Sequence, residues 1–265
     1  LPAGAQDVRP SAGLAPPSEA GADAAALAKK LQNPIGDLYS IPFQSNTNLR
    51  TGPNRGTQEI LNIQPVIPIH VNQDWNVITR TILPLVWPPA GTPGAPGFGT
   101  GNTVFSAFLS PRNPVNGWLW GVGPVVQIPT ASDATLGSSV WGGGPTGVLV
   151  WMQGPWVVGA LANNIWSMGG TSGPRGTRYN TMTLQPFVNY NFGHGLYVAS
   201  SPIITANWLA SGSNAWTLPV GASVGQVVKL GGKLPVNFSL GAYYNALRPD
   251  YGPTWQIRAQ VTLIF

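Results

Sequence analysis

The last twelve residues, TWQIRAQVTLIF, alternate without interruption. In an extended strand Trp255, Ile257, Ala259, Val261, Leu263 and Phe265 fall on one face, and Gln256, Arg258, Gln260 and Thr262 on the other. One face is apolar from end to end, the other polar. A sandwich strand could show that pattern over a second layer. A segment of about ten residues with aromatics at both ends and polar residues opposite has the length and pattern of a strand that crosses a bilayer. If this strand crosses, the earlier segments must supply the rest of a closed wall.

Composition agrees. Only 8% of the 265 residues are charged while 43% are hydrophobic, and no run reaches the 18 or more apolar residues of a transmembrane helix. Length and the even spread of 34 Gly and 27 Pro suit one domain: a leader with a short helix over 1–33, then a barrel over 34–265. The chain has no cysteine, which excludes a disulfide framework and thiolate metal sites and fits passage through the periplasm. The opening LPAGAQDVRP lacks the basic start and apolar centre of a signal peptide, as expected of a processed chain. The net charge of +5 is dispersed: Arg50, Arg55, Arg112, Arg175, Arg178, Lys229, Lys233 and Arg248 all fall in predicted loops or turns. No basic face forms, so nucleic acid is not an expected partner.

Residues 1–17 read as a Pro/Ala/Gly-rich leader, and 18–32 as a helix with Ser18 as N-cap, Lys29 and Lys30 in its last turn, and a thin stripe of Ala20, Ala24, Leu27 and Leu31. Twelve strands are expected, at 38–45, 58–70, 75–87, 103–111, 117–128, 146–153, 156–166, 179–192, 195–206, 215–228, 234–246 and 254–265. The connections alternate. Those at 46–57, 88–102, 129–145, 167–178, 207–214 and 247–253 are long, and those at 71–74, 112–116, 154–155, 193–194 and 229–233 are short. An up-and-down barrel with long loops outside, tight turns inside and both termini in the periplasm produces this rhythm.

Aromatic spacing fits the same architecture. Trp75 and Trp87 lie on one face of a strand twelve residues apart, which at about 3.3 Å per residue and about 45° tilt spans roughly 28 Å of membrane. Trp156 with Trp166, and Trp255 with Phe265, repeat the arrangement, so these six are the expected girdle residues. The prolines conflict with regular strands: Pro42, Pro65, Pro68, Pro84, Pro111, Pro124, Pro186, Pro202, Pro219 and Pro235 fall inside them. Each removes a ladder hydrogen bond, so either the wall carries bulges and breaks that reshape the lumen, or some strands are shorter.

NPIGDLYSIPFQSNTN, and then TQEILNIQPVIPIHVNQDWNVITRTILPLVW, resemble a family of small proteobacterial outer-membrane channels, transporters of the "MetA pathway of phenol degradation" type. The resembling residues are Asn33-Pro34, Pro42, Gln44, the LNIQPVIP run from Leu61 to Pro68, Asp74-Trp75-Asn76 and Arg80-Thr81; beyond Trp87 the likeness is to the general pattern, ending in the aromatic C-terminus of such barrels. The resemblance implies a monomeric twelve-stranded barrel that takes up small aromatic or hydrophobic compounds. It carries no binding residues with it.

Catalytic chemistry is sparse. His70 and His194 sit in or beside predicted turns with no serine two residues away on the same face, and Asp74, Asp133 and Asp250 are scattered over loops. No His or acid cluster has metal-ligand spacing, and the glycines at 142–144 and 169–170 precede no helix. An enzyme, a metal and a cofactor are therefore not expected. What remains is the lumen. In phase with the polar face of the last strand, Asn62, Gln64, Asn76, Arg80, Gln256, Arg258 and Gln260 are the expected pore lining, with Ile78, Ile82, Val66 and Thr262 beside them. Only Arg80 and Arg258 are charged there, so no ring of opposed acids and bases can form. The chain reads as an all-β barrel in the outer membrane. It is expected to touch lipid and lipopolysaccharide and pass small neutral, hydrophobic or aromatic solutes with mild anion preference, or else to be a barrel plugged by its helix or loops with a structural or surface-interaction role.

Overall fold

The structure, a computed structural model, describes residues 19–171 and 177–265, and side chains from residue 23 onward. The leader 1–17, Ser18, Arg175 and the side chain of Ala20 lie outside that description. A helix, α1 (Glu19–Gln32), comes first. β1 (Ser40–Thr51) begins the wall, and β2 (Gly56–Ile63) and β3 (Val66–His70) form two halves of the next strand position. β4 (Trp75–Trp87) is continuous, and β5 (Gly99–Thr100) and β6 (Thr103–Pro111) share a position. β7 (Trp118–Ile128), β8 (Gly142–Gln153), β9 (Trp156–Ser167) and β10 (Asn180–Gly193) follow, then β11 (Leu196–Ser200) and β12 (Ile204–Asn207) as another split pair. β13 (Trp216–Leu230), β14 (Leu234–Leu247) and β15 (Trp255–Ile264) complete the described segments.

These make a closed antiparallel barrel of twelve strand positions, as the alternation implied. β15 returns to β1 in a ladder from Ser40–Ile264 to Leu49–Trp255, so the sheet has no free edge. Closure is what satisfies every backbone group in a medium without water. Short turns gather at one end. Gly231 and Gly232, at φ 58° and 71°, take the left-handed conformations of the three-residue connection 231–233.

Two boundaries differ from expectation by four residues or more. β1 runs on to Thr51, so the connection expected at 46–57 shrinks to 52–55; β8 starts at Gly142 rather than 146. In both places the residues read as loop because they are polar or glycine. Asn46 and Asn48 are buried on the lumen face, where polar side chains belong. Arg50 and Lys229 likewise lie at strand ends rather than in loops.

The prolines divide the same way. Pro65 and Pro202 fall between segments, so those expected strands are indeed interrupted, while Pro42, Pro68, Pro84, Pro111, Pro124, Pro186, Pro219 and Pro235 remain inside ladders. Each break is repaired. At Pro65 the Gln64 N–H donates to the Pro42 carbonyl at 2.9 Å and the Thr81 N–H to the Pro65 carbonyl at 3.1 Å. Beside Pro84 the gap at 101–102 is stitched by Thr130 and by Asn102, whose amide donates to the Ser138 carbonyl at 2.9 Å. Near Pro202 the repair comes from the lumen: Arg258 Nη1 donates to the Ser201 carbonyl at 2.9 Å and the Ser201 N–H donates to the Tyr243 hydroxyl oxygen at 3.4 Å.

The two faces of the wall differ in kind. Outward positions carry exposed large apolar residues, among them Val188, Val198, Val220, Val224, Leu240 and Val261. Aromatic pairs mark both ends of the wall. Trp75 meets Trp120 and Trp156 meets Tyr190 at the short-turn end, while Trp87 meets Phe98, Trp208 meets Trp216 and Tyr244 meets Trp255 at the other. Inside, the short-turn half is filled. Ile78, Phe108, Leu119, Val148, Val150, Val157, Leu161 and Phe187 form an apolar cluster joined by Ile35, just beyond α1. The helix packs Ala28, with Leu27 and Leu31, against Tyr197, Ala199, Val227 and Ile264. Two reciprocal amide bonds of 3.0 Å between Gln32 and Asn191 tie it to β10.

Candidate functional site

Above the floor made by residues 30–38 the lumen opens into a cavity of about 200 Å³. Its two sides come from opposite sides of the ring. β4, β1 and β15 present Arg80, Gln44, Arg258 and Gln260, with Gln64 from the break between β2 and β3; β9 and β10, half-way round the barrel, present Leu161 and Phe187 together with Gln185 and Asn189. The polar side follows from strand phase. Gln44 pairs with Gln260 across β1–β15 and with Asn62 across β1–β2, so all three point inward.

The wall break positions the arginine. With its backbone out of the ladder, Ser201 offers a carbonyl to Arg258, whose other terminal nitrogen donates to Gln256 Oε1 at 2.9 Å. The guanidinium lies over the Tyr243 ring at 4.5 Å, a cation–π contact. Arg258 is 7% exposed, and its Nε has no partner among the described residues. Arg80 Nη2 donates to Gln64 Oε1. Neither arginine meets an acid: among the described residues Asp23 pairs with Lys229 and Asp37 is hydrogen-bonded to His70, both at the short-turn end.

The apolar side depends on two close approaches. Phe187 lies across Gly159 and Tyr197 across Gly225, each ring occupying the space a Cβ would take. Tyr197 donates its hydroxyl to Asn237 Oδ1 at 2.9 Å.

Of the seven residues expected to line the pore, Gln64, Arg80, Arg258 and Gln260 meet at this cavity. Gln256 stands beyond it, bonded to Arg258 and Asn48. Asn76 is buried beside the apolar cluster, its Oδ1 without a partner among the described residues, and Asn62 faces inward away from the cavity. Of the six expected girdle residues, Trp87, Trp156, Trp166, Trp255 and Phe265 are exposed and Trp75 is half-buried under Trp120. Sequence reasoning missed Gln44, Lys30, Ser201, Tyr243, Phe187 and Leu161. Gln44 was legible from the phase of β1, but Ser201 enters only through the break. Neither histidine is bonded to a serine: His70 Nε2 lies 2.8 Å from Asp37 Oδ1, and His194 occupies a turn at φ 49°.

No protein-family model matches the chain, and no curated protein matches it. Among solved structures it is similar to the COG4313 outer membrane channel from Pseudomonas putida F1, at 15% identity and a TM-score of 0.61, covering 86% of this chain and 94% of that one. It is also similar to the NanC porin, at 8% identity and a TM-score of 0.52 over 86% of this chain and 98% of that one. The likeness is one of fold: both are outer-membrane barrels.

Proposed function

We propose that this barrel resides in the outer membrane as a monomer and passes small solutes by passive diffusion, with both termini in the periplasm. The observation that carries the reading is the cavity within a closed barrel: its lining mixes amides and arginines with aliphatic and aromatic side chains around a space for one small molecule. Such a lining matches solutes with an apolar or aromatic body and does not build the opposed charge rings of a general ion pore. The exposed apolar outer wall and its aromatic ends meet lipid and lipopolysaccharide headgroups. The chain has no catalytic role in this reading. Swelling of proteoliposomes in small sugars and aromatic amides tests it: swelling above protein-free vesicles is expected, and none in any solute counts against a channel.

A second reading has one observation in its favour. α1 and Ile35 fill the short-turn half of the lumen, which suits a plugged barrel with a structural or surface-interaction role. Removing residues 1–32 separates the two. A permanent plug gives permeation only in the truncated protein, whereas a channel passes solutes with the helix in place.

A further inference from the structure

Resting on the channel reading, we propose that the lumen cavity is a binding station for small monocarboxylates with an apolar or aromatic body. The first ground is charge. The lining includes Lys30, Arg80 and Arg258 and no aspartate or glutamate. Arg258 is held by neutral acceptors, the Ser201 carbonyl and the Gln256 amide oxygen, and its Nε faces no acceptor among the described residues. A buried cation without a counter-charge is costly, and an entering anion removes that cost where a neutral solute does not.

The second ground is geometry. A guanidinium offers parallel N–H donors that match the two oxygens of a carboxylate, which a point-charge ammonium does not. Arg258 is already fixed by Ser201, Gln256 and the Tyr243 ring, so little rotamer freedom is lost when it binds. Arg80 faces the same space from β4, and the Gln44–Gln260 pair occupies the wall between β4 and Arg258.

The third ground is the far side. Phe187 and Leu161 give no hydrogen bond and, between the amides Gln185 and Asn189, favour a ring or short chain, so an inorganic anion leaves these two side chains unmatched. A volume of about 200 Å³ is the scale of one small molecule.

The test is calorimetric titration of the full chain in detergent with benzoate, its neutral isostere benzamide, and inorganic phosphate. Benzoate is expected to bind at least about tenfold tighter than either, the lower bound for one charge-assisted hydrogen bond. Arg258→Gln should abolish most of the preference for benzoate over benzamide, Arg80→Gln part of it, and Arg258→Lys should restore part. Equal binding of benzoate and benzamide overturns the anion site, and equal binding of phosphate overturns its apolar half. Retention of the full preference by folded Arg258→Gln and Arg80→Gln barrels overturns the assignment to these residues. If a variant does not fold, the wild-type ratio still decides. The swelling assay keeps the two claims apart: flux with no benzoate preference sinks the station and leaves the channel, and benzoate preference without flux of any solute does the reverse.

Discussion

Ala28 is where the helix meets the wall most tightly. It is wholly buried and packs in one cluster with Tyr197, Ala199, Val227 and Ile264. Ala28→Leu forces extra carbons into that contact, at a cost of about 1–3 kcal/mol. The wall is a closed ladder and the helix is not part of it, so the helix should yield. The other tethers are modest: the Gln32–Asn191 amide bonds, and the Lys229–Asp23 pair at 2.9 Å, an exposed pair of the kind that contributes at most about 1 kcal/mol. A shift of 1–3 kcal/mol raises the ratio of undocked to docked helix by about 5- to 150-fold. In single-channel recordings this appears as more frequent or longer visits to a larger conductance. Ala26, exposed on the opposite side of α1, supplies the control: Ala26→Leu should leave the records unchanged. If both variants fold and behave alike, the helix does not govern the mouth and the reasoning fails.

Phe108 is fully buried in the lumen cluster, so Phe108→Ala should cost about 3–5 kcal/mol in urea unfolding from liposomes; a loss under about 1 kcal/mol would contradict the packed interior. Leu240 is exposed on the outer face at mid-strand, and Leu240→Arg should cost about 2–4 kcal/mol there and slow insertion; unchanged folding yield would mean that this face does not meet lipid. Gly225→Val removes the space beneath Tyr197 and should swing that ring into the cavity, lowering conductance in a barrel that still shifts on unheated gels. Unchanged conductance would show that the ring does not bound the path.

The strands were legible where one face is apolar and the other polar, as in β15 and β4, because period-two alternation survives any partner. The end of β1 was not, because Asn46, Thr47 and Asn48 carry no apolar face, and only their burial beside a polar lumen distinguishes them from loop. The start of β8 was hidden similarly by glycines that make room for neighbours such as Tyr179 over Gly142. Strand phase was enough to turn Gln64, Arg80, Arg258 and Gln260 inward. It could not show that they share one cavity, since β4 and β15 stand far apart in sequence and the ring closes only through β1. Nor could it show that the helix floors that cavity, because a thin alanine stripe gains its meaning only from the small gap it fills.

Single-channel recording of the purified full chain in a planar bilayer, with the reversal potential read under a salt gradient, bears most directly on the central claim. Discrete openings with a reversal potential displaced toward the anion side are expected from a lumen that faces its cavity with Lys30, Arg80 and Arg258 and no acid. Silence both from the full chain and from the protein lacking residues 1–32 would contradict a channel and leave the filled barrel as the account of this fold.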